Sequence, residues 1–195
     1  IVAMIGGILL LFNEQLVKRF SMHLLSFAAG ALLGAAFFEL LPEALESGVA
    51  STTIFGGVIV GILLFFIVEK LLNFYHCHNN EGCNEHDFSL TIIIGDAFHN
   101  FIDGITIALS FLVSIPVGIA TTTAVFFHEI PQEISDFAIL LRNGYSRWQT
   151  LKYNFFSALA TLVGALLGYG LRNQIDLYIP FLLSIAAGSF IYISI

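Results

Sequence analysis

Charge is what this chain has least of: Asp, Glu, Lys and Arg make up 11% of its 195 residues, against about 25% in an ordinary soluble domain. Apolar residues reach 57%, with 20 Phe, and the mean hydropathy is +0.90. That balance excludes a water-soluble globule. The net charge of −7, with only 7 Lys and Arg, leaves no basic face for a phosphate backbone and excludes nucleic acid as a partner. Strict apolar–polar alternation is missing from the hydrophobic runs, which excludes a transmembrane β-barrel. Cysteine occurs only at Cys77 and Cys83, outside every long apolar run. None of Lys18, Lys70 and Lys152 follows Gly in a Walker-type loop, which sets aside an ATP-driven machine.

What the chain does have is a series of apolar runs between short polar breaks, each about the 20 residues that a helix needs to cross a bilayer. The pattern predicts an all-α, polytopic bundle. Its full spans are expected near 22–41, 52–72, 89–113, 117–141, 150–171 and 177–195, with a partial span at 1–12. Counting the partial one as the first gives seven spans. Both ends fall inside apolar runs, with no initiator Met, charged leader or polar tail, so the chain is read as a fragment. It is read as one domain over 1–195, with a polar loop at 73–88.

Orientation follows from the basic residues, which cytoplasmic loops retain. Breaks after spans one, three and five hold Lys18, Arg19, Lys70, Arg142, Arg147 and Lys152, whereas those after two, four and six hold Arg172 alone. The N-terminus is therefore expected outside the cell. Leu25 to Gly30 reads L-S-F-A-A-G, and Leu183 to Gly188 reads L-S-I-A-A-G. These copies lie on spans two and seven, an odd number apart, and so cross in opposite directions. Inverted repeats of this kind are a mark of secondary transporters.

Two of the apolar runs carry polar clusters at their centres. On span four, Asp96, His99, Asn100 and Asp103 stand at i, i+3, i+4 and i+7, on one helical face. On span five, His128, Glu129, Gln132, Glu133 and Asp136 form a second stripe. Ionisable groups at that depth are costly and by default functional. No Lys or Arg lies at their level to pair them, so a divalent cation is the partner that neutralises several at once. Imidazole with carboxylate and amide oxygen suits zinc first, then iron(II), manganese or cadmium, and argues against copper(I) and against calcium or magnesium. The ion is read as cargo, with no resident cofactor.

Asp96 and Asp136 fall on the cytoplasmic side of the cluster, where they could line a path. Pro131 and Pro42 each remove a backbone donor within an apolar run. Glu39 and Glu43, at the outer end of span two, either gather cations or are interfacial charges. His76, Cys77, His78, Cys83 and His86 form a candidate soft-metal loop, although C-x5-C lacks the spacing of a structural zinc site.

Two other classes compete. An intramembrane zinc hydrolase would use H-E-x-x-H, but His128-Glu129-Ile130-Pro131-Gln132 lacks the second His. A cation-diffusion exporter would pair His99 and Asp103 with a matching couple on span five, which Gln132 breaks. The chain is therefore read as no enzyme.

With these residues in place, the chain resembles the ZIP (Zrt/Irt-like) family of metal transporters. His99, Asn100, Asp103 and Gly104 match its span-four signature, and His128, Glu129 and Pro131 that of span five. E-L-L-P-E-A on span two and N-F-F-S-A-L on span six extend the likeness over nearly the whole chain. The resemblance implies eight helices with inverted three-helix repeats flanking spans four and five, a metal site of one or two ions, and a homodimer. It also implies alternating-access import toward the cytoplasm, through a movement of the metal-bearing helices against a scaffold, with the plasma (cell inner) membrane as the expected location. Three positions depart from the pattern: Ile102 stands where many members have Pro, Gln132 where many have His or Glu, and Thr161 where some place a bridging Glu.

Overall fold

The computed structural model describes residues 14–76 and 85–195, and they are almost entirely helical. In hydrocarbon the backbone must satisfy its own hydrogen bonds, which long apolar runs achieve only as helices. In chain order these are α1 (Glu14–Ala35), a π-helical turn (Ala36–Leu40), α2 (Leu41–Glu46), α3 (Ser51–His76), α4 (Glu85–Val113) and α5 (Ile115–Arg142). They are followed by α6 (Arg147–Gly170), α7 (Arg172–Ile175), a 3₁₀ turn (Asp176–Tyr178) and α8 (Ile179–Ile193). The partial span at 1–12 lies outside the described residues.

Among the described residues, five segments are long and apolar enough to cross a membrane: Met22–Glu46, Ser51–Leu71, Ile92–Val113, Arg147–Gly170 and Arg172–Ile193. The chain is thus a multi-pass membrane protein. The sixth expected span coincides with α5, whose 28 residues reach about 42 Å at about 1.5 Å per residue. Its polar stripe, not its length, keeps it from passing on composition. Of the loop expected at 73–88, residues 73–76 end α3 and 85–88 begin α4, and 77–84 lie outside the described residues.

Proline shapes the path of span two. Pro42 cannot donate to the carbonyl one turn back, and the preceding turn widens so that the Leu41 amide bonds the Ala36 carbonyl. π turns are a known way to absorb such a break. α5 by contrast stays helical through Pro131.

Short turns fix which helices are neighbours. Ser114, extended at φ −159°, is the only residue between α4 and α5, and its Oγ accepts from the Val117 amide at 3.3 Å. This forces an antiparallel hairpin that brings the two polar stripes together. α5 ends in a Schellman turn: Gly144 (φ +86°) lets the Tyr145 amide reach the Leu140 carbonyl at 3.1 Å, and its own amide reaches Leu141 at 3.2 Å. Ser146 then caps α6 reciprocally, its Oγ accepting from the Gln149 amide at 3.3 Å while Gln149 Oε1 accepts from the Ser146 amide at 2.9 Å. Ser146→Ala is expected to cost about 1 kcal/mol, visible as a lowered melting temperature in detergent with no change in metal affinity.

Two parallel helix pairs are packed backbone to backbone. A Cβ on Gly104 would strike the Thr161 carbonyl and one on Gly164 the Phe101 carbonyl, which zips α4 to α6. Gly61 lies against the Ile185 carbonyl and Gly188 against that of Val58, which zips α3 to α8. Small residues serve here as they do in membrane bundles generally, by letting backbones approach. α1 packs along α5, with Phe27 edge-on to Phe127 at 4.7 Å. The tight core of Leu32, Ala36, Leu40, Ala187 and Phe190 joins α1, the π turn and α8 beside α5.

Candidate metal site

The antiparallel α4–α5 hairpin presses its two polar stripes together near the middle of both helices. His99 and Asp103 of α4 meet His128 and Glu129 of α5, and one donor atom from each lies within 4.8 Å of all the others. All four are buried, none more than 8% exposed. His99 Nε2 stands 3.0 Å from His128 Nε2 and 3.4 Å from Asp103 Oδ2. Asp103 Oδ2 is 3.1 Å from His128 Nε2, and Glu129 Oε1 is 3.7 Å from each Nε2.

Those edges have a chemical meaning. Zinc held tetrahedrally by nitrogen and oxygen at about 2.0–2.1 Å requires donor–donor edges of about 3.3–3.4 Å; the five edges that involve an imidazole, 3.0 to 3.7 Å, bracket that value, and the carboxylate–carboxylate edge lies within 4.8 Å. Two neutral imidazoles and two carboxylates also balance a doubly charged cation. Without such a partner, both oxygens of Asp103 and both of Glu129 are buried with no hydrogen-bond donor, a costly arrangement inside a protein. His128 is aimed by its other nitrogen, since Nδ1 lies 3.2 Å from the Ala124 carbonyl. With the proton there, Nε2 presents its lone pair to the cage. Phe65 stands edge-on to His99 at 6.0 Å and Phe190 lies 6.2 Å from His128, closing the cage with apolar surface.

The remaining residues of the two stripes are placed differently. Asn100 and Gln132 both hydrogen-bond to Asp96. Asp96 Oδ1 accepts from Asn100 Nδ2 at 3.0 Å and from Gln132 Nε2 at 3.1 Å, and its Oδ2 accepts from Ser157 Oγ of α6. Asn100 Oδ1 in turn accepts from Thr161 Oγ1 at 2.8 Å. Glu133 is fully buried, with both oxygens lacking a partner, but it stands outside the four-residue cluster. Asp136 is half-buried one turn further along α5. Glu39, in the π turn, and Glu43, in α2, are half-buried and do not join the cluster.

Of the candidate loop ligands, His76 ends α3 and His86 lies in the first turn of α4. Cys77, His78 and Cys83 lie outside the described residues. Sequence reasoning missed Ser157. Its signal was present, because Ser157 and Thr161 on α6 repeat the i, i+4 spacing of Asp96 and Asn100 on α4, as two parallel helices in register require.

A cavity of about 620 Å³ opens beside the cage. Phe65 and Glu69 of α3, Phe98 and His99 of α4, Gln132 of α5 and Tyr192 of α8 line it. Tyr192 donates to Glu69 Oε2 at 2.5 Å, tying α8 to α3.

Fold and site together define a multi-pass helical membrane protein with a buried cluster of two imidazoles and two carboxylates that could hold a metal ion. A family model described as ZIP Zinc transporter matches residues 76–195. Among curated proteins, the chain is 36% identical over 191 residues to the zinc transporter ZIP13 of Pongo abelii, covering 89% of this chain and 56% of that protein. It is 33% identical over 206 residues to the zinc transporter YKE4 of Saccharomyces cerevisiae, covering 88% and 58%. It is 30% identical over 237 residues to the ZIP13 homolog of Drosophila melanogaster, covering 88% and 67%. The chain belongs to the ZIP zinc transporter family, a family of transporters and not of enzymes. It spans 56% to 60% of the length of the mammalian ZIP13 proteins from Pongo, mouse and rat.

Proposed function

We propose that this chain carries the metal-handling core of a secondary transporter that moves divalent transition-metal ions toward the cytoplasm, with zinc preferred and iron(II), manganese and cadmium as lesser cargo. The carrying observation is the cage of His99, Asp103, His128 and Glu129, whose donors lie within 4.8 Å of one another and whose imidazole edges of 3.0 to 3.7 Å suit one tetrahedral cation. Relatives named as zinc transporters support the cargo.

Direction is supported by the cavity beside His99. It lies toward the ends of α3 and α8 that carry Glu69 and Tyr192, on the side of the polar break that holds Lys70. By the distribution of basic residues this side is cytoplasmic. Metal entering from the outer half would reach the cage at the middle of α4 and α5 and leave past His99 into that cavity. The zipped pairs α4–α6 and α3–α8 are natural rigid bodies for alternating access, because the backbone contacts within each pair leave little room to slide.

In this reading 1–195 is one domain of an eight-helix, inverted-repeat fold in a homodimer at the plasma membrane, with its N-terminus outside. Glu133 and Asp136 extend the donor stripe toward the cavity side, and the loop at 73–88 receives released metal. The hydrolase alternative has no catalytic geometry to rest on, because Gln132, where a second His would be needed, donates to Asp96.

The test is zinc influx into liposomes that hold the full-length protein and a trapped zinc-sensitive dye. Saturable zinc-dependent influx is expected, with Km rising when manganese competes. Zinc binding without flux in intact, correctly oriented vesicles would overturn the transport reading.

A further inference from the structure

Asp96 lies one turn from His99 on the same face of α4, within reach of the cage, yet its carboxylate is fully engaged elsewhere. It is 5% exposed and collects three side-chain donors from three helices: Asn100 of α4, Gln132 of α5 and Ser157 of α6. An ionised carboxylate only accepts hydrogen bonds, so it selects the nitrogen end of both amides. An amide nitrogen does not ligate a divalent cation, whereas an amide oxygen does. Asn100 is held at its other end too. Its Nδ2 also donates to the Asp96 carbonyl at 3.1 Å, and its Oδ1, the atom that could reach a metal, is occupied by Thr161 Oγ1 at 2.8 Å.

We propose that Asp96, anchored by Ser157, is a positioning residue that latches the Asn100 and Gln132 oxygens out of the coordination sphere and so sets the site's preference for zinc over six-coordinate cations such as manganese(II). This rests on the transport-site reading above and goes beyond it by assigning selectivity to a residue that does not touch the ion. The physical basis is the difference between the two ions. Zinc is content with four nitrogen and oxygen donors, and the cage supplies four within 4.8 Å of one another. Manganese(II) favours an octahedral, oxygen-rich shell, and among the oxygens that could add to the four donors, beside the second oxygens of Asp103 and Glu129, are those of the two amides whose nitrogens Asp96 holds. α6 contributes no cage residue of its own. Its Ser157 and Thr161 act only through the latch.

The test uses the full-length protein and measures zinc and manganese affinities together with the metal coordination number by X-ray absorption. It compares wild type, Asp96→Ala, Ser157→Ala and Ser157→Thr. Removing an outer-shell partner of a metal site typically changes affinity by about 10–100-fold. Asp96→Ala is therefore expected to lower the zinc-to-manganese affinity ratio by at least about tenfold and to add an oxygen donor to the bound metal. Ser157→Ala shifts the ratio in the same direction by less, and Ser157→Thr, which keeps the hydroxyl, restores it. Should Asp96→Ala fail to fold, the two Ser157 variants carry the test alone. Parallel losses for both metals, or an unchanged ratio in folded variants, overturn the latch. So does a wild type that binds zinc and manganese equally. A wild type that binds neither metal overturns the transport-site reading itself.

Discussion

Asp103→Asn and His128→Ala are each expected to lower zinc affinity by at least about 100-fold and to bring zinc influx to background, because even outer-shell losses at metal sites cost about 10–100-fold. Asp103 Oδ2 stands 3.1 and 3.4 Å from the two imidazole nitrogens, so it closes the cage between α4 and α5. Asn keeps the shape but removes the charge and replaces one oxygen by a non-ligating NH2, leaving a doubly charged ion facing one carboxylate in a buried site. His128→Ala removes a donor whose lone pair is already aimed by the Ala124 carbonyl. Titration calorimetry on purified protein, paired with liposome influx, reads both effects. A useful contrast is Glu43→Gln, at a half-buried position outside the cluster: it leaves equilibrium affinity at the cage unchanged whatever it does to influx. Retention of wild-type affinity by both cage variants would remove the four-residue site.

The second large effect is expected at Gly104, which has no side chain to offer the cage. A Cβ there would collide with the Thr161 carbonyl and crowd the Ala165 amide at 2.9 Å. These are backbone atoms of α6, which cannot rotate aside as a side chain would. Gly104→Leu must therefore push α4 off α6. The cost exceeds the range of about 1–3 kcal/mol found for overpacked side-chain cores, and it breaks the Asn100–Thr161 and Asp96–Ser157 contacts in the same stroke. Loss of folded protein, or of zinc binding in whatever folds, is expected by size-exclusion chromatography and calorimetry. Gly56→Ala serves as the control, since nothing lies within 4 Å of a Cβ there and Ala favours a helix interior over Gly. It should be neutral or slightly stabilising. Equal behaviour of the two variants would show that the α4–α6 contact does not set stability.

The spacing of polar residues made much of this site legible before any fold was known. Asp96, His99, Asn100 and Asp103 share a face by arithmetic alone, and an apolar environment leaves such a stripe only another stripe to meet. The single-residue turn at Ser114 dictates that the partner is α5. What spacing could not supply was the hydrogen bonding within the stripes. Asn100 and Gln132 read as ligands because amide oxygen is a sound donor. Their bonds to Asp96 belong to a network that includes the hydroxyls of Ser157 and Thr161, each 61 residues beyond its partner on α4 and adjacent only because glycines bring α6 against α4. Polarity misled in another way at α5, where the residues that carry the chemistry remove the apolar signal of a span. The π turn before Pro42 was foreseeable as a break in hydrogen bonding, but not as a widening of the helix, because a proline can be absorbed by a bend as well.

The central claim is that two imidazoles and two carboxylates, from α4 and α5, hold one divalent metal ion. Zinc X-ray absorption on the purified full-length protein, loaded with one equivalent of zinc, tests it most directly. Four nitrogen and oxygen donors at about 2.0 Å are expected, two of them with the outer-shell scattering of imidazole, and one imidazole contribution should vanish in His128→Ala. A sulfur shell, or an all-oxygen six-coordinate shell indifferent to His128→Ala, would contradict it.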